Sequence, residues 1–226
     1  MFKVIFSACV AACVSTSAFA ATVTGGSGIL TTATANQLET WLGEGPIGLT
    51  AIFSKTTGSR SSDFHAAADG KGRTFSVIEL DNGNVIGGYN PLSWESSSRY
   101  LYQSNSTAFL FNLTTSVKYD HTRSTHVTYN RINYGPTFGG GHDLYVNQAL
   151  SGGYANIGYN YGDTSQYGRA SYRNAFTGSY SNWTITKLDV FTIAPIAAVP
   201  LPAGGALLLT GLVGFAAFSR RKTRGA

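Results

Sequence analysis

Thr74–Leu80 (TFSVIEL) and Val85–Tyr89 (VIGGY) flank Asp81-Asn82-Gly83-Asn84. Asn and Gly tolerate the positive φ of a tight reversal, so this stretch commits the chain to a hairpin of two strands. The pattern supplies further strands at Ile47–Phe53, Thr107–Leu113, Ser116–Tyr119, Thr125–Ile132, Leu144–Asn147 and Trp183–Ile193. In the last, Leu188 and Val190 pick one face while Ile185 and Phe191 pick the other, which suits a strand covered on both sides. Two short helices accompany them. Thr34-Ala35-Asn36-Gln37 offers a capping box, Leu38, Trp41 and Leu42 share a helical face, and Gly43 ends the helix. A second helix over Ser61–Ala68 takes Ser61 or Ser62 as its cap and Asp63 in its first turn. Gly70 stops it, and Phe64 with Ala67 or Ala68 is buried. Many strands and two short helices predict a mainly β fold, a two-sheet antiparallel β-sandwich. No internal repeat is evident; Tyr145–Tyr180 is rich in Tyr, Gly, Ser and Asn but is not periodic.

The two ends differ from this middle. Lys3, the apolar run Val4–Val14 and the small-x-small triplet Ala18-Phe19-Ala20 predict a secretory signal over Met1–Ala20, cut before Ala21. A lipoprotein box at Val10-Ala11-Ala12-Cys13 ranks behind it, because it leaves a very short apolar core. The two cysteines, Cys9 and Cys13, fall inside this segment. The mature domain is therefore expected to have no disulfide, no thiolate nucleophile and no zinc–sulfur site. Near the other end, Leu201–Phe218 runs eighteen residues without a charge. As a helix it reaches about 27 Å, near the lower limit for a bilayer span. Arg220, Arg221, Lys222 and Arg224 follow it, which predicts a C-terminal transmembrane helix with the domain facing outward. A buried core helix fits poorly, since the run is apolar on all sides and terminal. Ala21–Ala33 reads as a flexible lead-in, residues 34–193 as one domain and Ala194–Ala198 as a linker. The formal charge of +5 belongs to the ends: without Lys3 and the four C-terminal cations, eleven Lys and Arg face eleven Asp and Glu. A basic surface for nucleic acid is thus not supported.

Val199-Pro200-Leu201-Pro202-Ala203, an apolar helix and then Arg220-Arg221-Lys222 together resemble the VPLPA variant of the PEP-CTERM sorting signal. The resemblance implies recognition by an exosortase-type processing enzyme in a Gram-negative bacterium that makes exopolysaccharide. It also implies at least a transient membrane anchor.

Between the ends, familiar catalytic patterns are missing: no G-x-S-x-G elbow, P-loop, H-E-x-x-H or complete EF-hand loop occurs. His121 and His126 bracket Arg123 on or beside a strand and lack a third metal ligand, so no metal site is assigned. His65 follows Phe64 on the second helix. His142-Asp143 follows three glycines, Gly139-Gly140-Gly141, in two possible roles. As a site, the pair acts as acid, base or ligand. As a turn, which is preferred, Asp143 binds turn amides. Asp81–Asn84 and Asp163-Thr164 are each short of ligands for calcium, and turn chemistry explains both. Tyr154, Tyr159, Tyr161, Tyr167 and Tyr172 form either a stacking platform for sugars or, more ordinarily, half-buried strand rings.

Six pieces in order carry a second resemblance, from about Leu38 to Ile193. They begin with Ile52-Phe53-Ser54-Lys55 and Gly58, then Phe64-His65 with Asp69-Gly70-Lys71-Gly72 and Thr74-Phe75. Val85–Tyr89 with Trp94, Ala108–Leu113, Phe138–Leu144 and Lys187–Phe191 complete the set, with Asp189 where Glu is usual. Together these resemble the TLDc domain. The resemblance implies a two-sheet β-sandwich with short helices and brings no settled catalytic triad and no cofactor. The expected function is an exported binding or structural module at the cell surface or in the matrix, its ligand a glycan or a protein. The alternative is a hydrolase or lyase of envelope polymers using His65, His142 and Asp143, with Glu95 nearby.

Overall fold

The structure is a computed structural model and describes residues 20–196 apart from 124 and 182. The signal segment before Ala20, including Ala18, lies outside the described residues. So do Val199, Pro200, Leu201, Pro202, Ala203, Arg220, Arg221, Lys222 and the apolar run between them. No helix among the described residues is long and apolar enough to cross a membrane.

Among the described residues the chain is mainly β, with one large mixed sheet and three α-helices, consistent with a β-sandwich. The elements in order are β1 (Thr22–Thr24), α1 (Thr32–Leu42), β2 (Ile47–Ser54), α2 (Ser61–Ala68), β3 (Thr74–Leu80) and β4 (Val85–Asn90). After them come β5 (Ser97–Tyr102), β6 (Phe109–Asn112), β7 (Val117–Asp120) and β8 (His126–Arg131). The chain closes with β9 (Tyr145–Val146), β10 (Gly153–Tyr154), α3 (Ala170–Thr177) and β11 (Ile185–Pro195). Seven strands form the main sheet in the order β1-β2-β11-β3-β4-β6-β7. Its pairs are antiparallel except β1 with β2, which is parallel. The antiparallel expectation therefore fails at this edge. Two ribbons, β5–β8 and β9–β10, stand apart from the main sheet.

The sheet is buried on both faces. Phe75, Val77, Tyr89, Phe109, Phe111 and Phe191 meet α1 and the N-terminal segment on one side. On the other, Ile78, Leu80, Ile86, Leu110, Leu188 and Val190 meet α2 and α3. Burying each such large apolar side chain contributes about 2 kcal/mol. Alternation along β6 puts Phe109 and Phe111 on one face and Leu110 on the other. Ile185 departs from the face predicted for it and joins Leu188 and Val190. A bulge between Ile185 and Lys187 shifts the register by one residue and turns Ile185 over. Gly87 and Gly88 lie where no side chain fits. A Cβ on Gly87 would lie 2.0 Å from the Ser76 carbonyl oxygen, and one on Gly88 would lie 2.6 Å from Phe138 Cζ.

Three local expectations change. Helix α1 starts earlier than Thr34: Thr31 is its N-cap and exchanges bonds with Thr34, so Thr34 closes the capping box instead of opening it. In α2 the cap position is Arg60, whose N–H donates to Asp63 Oδ2 at 2.8 Å. Ser61 instead donates its hydroxyl to the Ile132 carbonyl at 2.6 Å. The segment read as a flexible lead-in is tied down. Its Thr22–Thr24 pairs with β2, Ala21 N–H donates to Asn36 Oδ1 at 2.8 Å, and Ser27 donates twice to Asp189 Oδ2. At the far end, β11 runs to Pro195 and so takes up the start of the expected linker.

Candidate functional site: an aromatic ridge

The two ribbons bring a group of tyrosines together. Their registers set tyrosines directly opposite one another: Tyr100 faces Tyr129 across β5–β8, and Tyr145 faces Tyr154 across β9–β10. Cross-strand aromatic neighbours attract, which favours these registers. Their centroids lie 4.5 and 4.9 Å apart. Tyr102 pairs likewise with His126, at 4.7 Å. Tyr134 joins the ribbons, 5.5 Å from Tyr129 and 4.7 Å from Tyr145. Tyr180, after α3, extends the series at 5.8 Å from Tyr154. The result is a continuous ridge of rings. Most are half-buried, while Tyr102 and Tyr180 stand 65% and 43% exposed at its ends. Beside it, Ser98, Arg99, Tyr100, Leu101, Tyr102 and Tyr129 line an open depression of about 660 Å³.

The triple-glycine loop lies beneath this ridge and explains its own composition. A Cβ on Gly139 would lie 2.0 Å from Asp143 Oδ2, one on Gly140 2.6 Å from His126 Nδ1, and one on Gly141 2.8 Å from Tyr159 Cγ. The loop is pinned by the Tyr100 hydroxyl, which donates to the Gly140 carbonyl at 3.1 Å. Asp143 is fully buried. Its carboxyl accepts the backbone N–H groups of Tyr159, Asn160 and Tyr161 at 2.9–3.1 Å. Burial pushes this carboxyl up to about 7, against the pull of the three amides. Asp143 thus binds amides, as the turn reading expected, but those of a segment sixteen to eighteen residues downstream.

His142 sits in the left-handed region at φ 53° and faces the ridge, with ring centroids 5.3 Å from Tyr129 and 5.9 Å from Tyr145. Its Nδ1 lies 3.3 Å from the Gly139 carbonyl. Burial holds His142 and His126 below the ordinary histidine range. The neutral rings therefore contribute stability in full above about pH 6.5, and lose it as pH falls through their folded values. NMR titration is expected to find both rings neutral at pH 7 and protonating below 6.5. His142→Asn keeps a residue suited to positive φ and should flatten the acid limb of stability.

His65 and His142 both touch Tyr134 but meet it differently. His65 is buried in α2, with Nδ1 2.7 Å from Asp69 Oδ1. Its Nε2 lies 2.9 and 3.1 Å from the carbonyls of Arg131 and Tyr134. Both ring nitrogens are committed, so His65 fastens α2 to the turn after β8. Glu95 is held by Arg99 at 2.5 and 2.8 Å, which keeps its carboxyl below the usual range. Of the residues expected to form an acid–base set, His65 and Asp143 are buried and their polar atoms are bonded within the fold. No group of three His, Asp or Glu able to hold a metal occurs among the described residues.

The tyrosines expected to form one platform separate. Tyr154 belongs to the ridge. Tyr159 and Tyr167 make a flanking pair at 5.3 Å. Tyr161 is in the core, donating to the Val127 carbonyl at 2.7 Å, and Tyr172 packs on Tyr119. Sequence reasoning missed Tyr100, Tyr129, Tyr134 and Tyr145.

A family model for the TLDc domain matches residues 23–194, nearly all of the described chain. The chain belongs to the TLDc family. No curated protein matches it. The TLDc motifs fall on the frame that holds the ridge. Trp94 packs edge-on against Phe64 and Phe138, at 5.3 and 5.4 Å, and its indole N–H donates to Thr74 Oγ1 at 2.8 Å. That contact ties the helix bearing His65, the hairpin and the glycine loop into one unit of the TLDc fold.

Proposed function

We propose that this TLDc protein is an exported module that binds a polymer of the cell surface or matrix along its aromatic ridge. The observation that carries the reading is the continuous series of half-buried and exposed aromatic rings along the two ribbons and the segments beside them. Flat rings with hydroxyl tips suit the apolar faces and hydroxyl edges of sugars. Rings fixed by register and packing lose little entropy when a ligand lies down on them. The signal-like start and the Val199–Ala203 motif before an apolar run and Arg220-Arg221-Lys222 support export and sorting by an exosortase-type enzyme, with the C-terminal helix as an anchor. The hydrolase or lyase reading lacks comparable support, because His65, Glu95 and Asp143 each have their polar atoms committed.

The full chain, kept in mild detergent, is expected to co-sediment saturably with exopolysaccharide purified from its own producer. Replacing Tyr145 and Tyr154 by Ala should weaken binding about tenfold or more, on the scale of lost stacking. Absence of binding at high polymer concentration removes this reading.

A further inference from the structure

Charge is segregated within a domain that is neutral overall. From His121 to Thr186 there are four Arg, no Lys and no Glu. The two Asp in that stretch are Asp143, which is fully buried, and Asp163. Tyr129, Tyr134, Tyr145, Tyr154 and Tyr180 of the ridge fall in that stretch. The cations are also arranged on its rings. Arg131 lies over Tyr134 with its guanidinium carbon 5.4 Å from the ring centroid, and Arg173 lies over Tyr180 at 4.7 Å. Arg123 lies over Tyr159 at 5.1 Å, on the flanking pair. Among the described residues none of these three has a carboxylate within ion-pair distance. Arg173 Nε is buried without a hydrogen-bond partner. By contrast, Arg73, and Arg99 on β5 beside the ridge, are paired with Glu44 and Glu95. Stacking on a ring fixes the plane of a guanidinium and leaves its N–H edge free to take a carboxylate in two parallel bonds.

We infer that the ridge recognises an acidic polysaccharide, a chain bearing uronate-type carboxylates, with sugar faces on the tyrosines and carboxylates on Arg131 and Arg173. This rests on the glycan-binding reading and names the ligand's charge. A polyphosphate backbone such as single-stranded DNA fits less well. It asks for a dense cationic track, while the ridge carries a few separated guanidinia in a domain of zero net charge.

The test uses the full chain in mild detergent with three probes: polygalacturonate, the same polymer after reduction of its carboxyls to alcohols, and an oligothymidylate. Polygalacturonate should bind, with the reduced polymer at least about tenfold weaker. Arg131→Gln and Arg173→Gln should each lower affinity for the acidic polymer by about tenfold and leave the reduced polymer nearly unaffected. Circular dichroism checks that both variants remain folded, and Arg131→Lys, which keeps charge but not the fork, should recover binding only in part. Equal binding of the two polysaccharides overturns the acidic assignment while sparing the ridge as a sugar platform. Binding of neither removes both. Tighter binding of the oligothymidylate overturns the proposal in favour of nucleic acid.

Discussion

Asp143→Ala is expected to destabilise the domain by about 3–5 kcal/mol, enough to unfold much of the population. The change leaves three backbone N–H groups, those of Tyr159, Asn160 and Tyr161, without an acceptor in a buried site. Each orphaned donor costs about 1–3 kcal/mol. Asp143→Asn separates this from a charge effect. Its carbonyl oxygen can still accept those bonds, and burial already favours an uncharged group there. Its cost should be nearer 1–2 kcal/mol. Denaturant midpoints should therefore fall in the order wild type, Asn, Ala. A midpoint for Asp143→Ala equal to that of the wild type would show that the downstream loop is held by something else.

Gly87→Ala should be nearly as damaging, at about 3 kcal/mol or more. The added carbon meets the Ser76 carbonyl oxygen at 2.0 Å, a backbone atom locked in the β3–β4 ladder. It also meets Phe111 Cζ at 2.6 Å. Neither strand can retreat, because β4 is paired on its other side with β6 and β3 with β11. Gly88→Ala is the informative neighbour. Its new carbon meets only the ends of Phe138 and Leu110 among its nearest atoms, and such side chains can shift. Thermal unfolding should rank Gly87→Ala as the less stable of the two; the reverse order would mean that the ladder yields where the side chains do not.

The frame of the fold was legible because local chemistry and tertiary demand agree there. The Asn82-Gly83 turn, the alternation of Phe109, Leu110 and Phe111, and Gly43 at the end of α1 each specify one structure. Where the two levels diverge, the sequence misleads. Strand β5 is polar, mostly exposed and interrupted by register shifts, so Ser97–Tyr102 carries no period-2 pattern. Helix α3 has no side-chain cap at its start and hides in the Tyr- and Gly-rich stretch. The lead-in looks like a linker by composition, yet Asp189 and Asn36 hold it through partners far away in sequence. The ridge was missed for the same reason: Tyr100 and Tyr129 become neighbours only through a pairing that neither strand announces. His65 and Asp143 were noticed as polar residues in motifs, but only their bonding partners identify them as fasteners.

Co-sedimentation alone would be satisfied by any adhesive surface, so the most direct measurement locates the contact. Tyrosine nitration of the full chain, read by peptide mass spectrometry with and without the producer's exopolysaccharide, does this. Protection of Tyr145, Tyr154 and Tyr180, with Tyr172 modified equally in both samples, is the result expected if the ridge is the binding surface. Unchanged modification of the three ridge tyrosines at saturating polymer would contradict it.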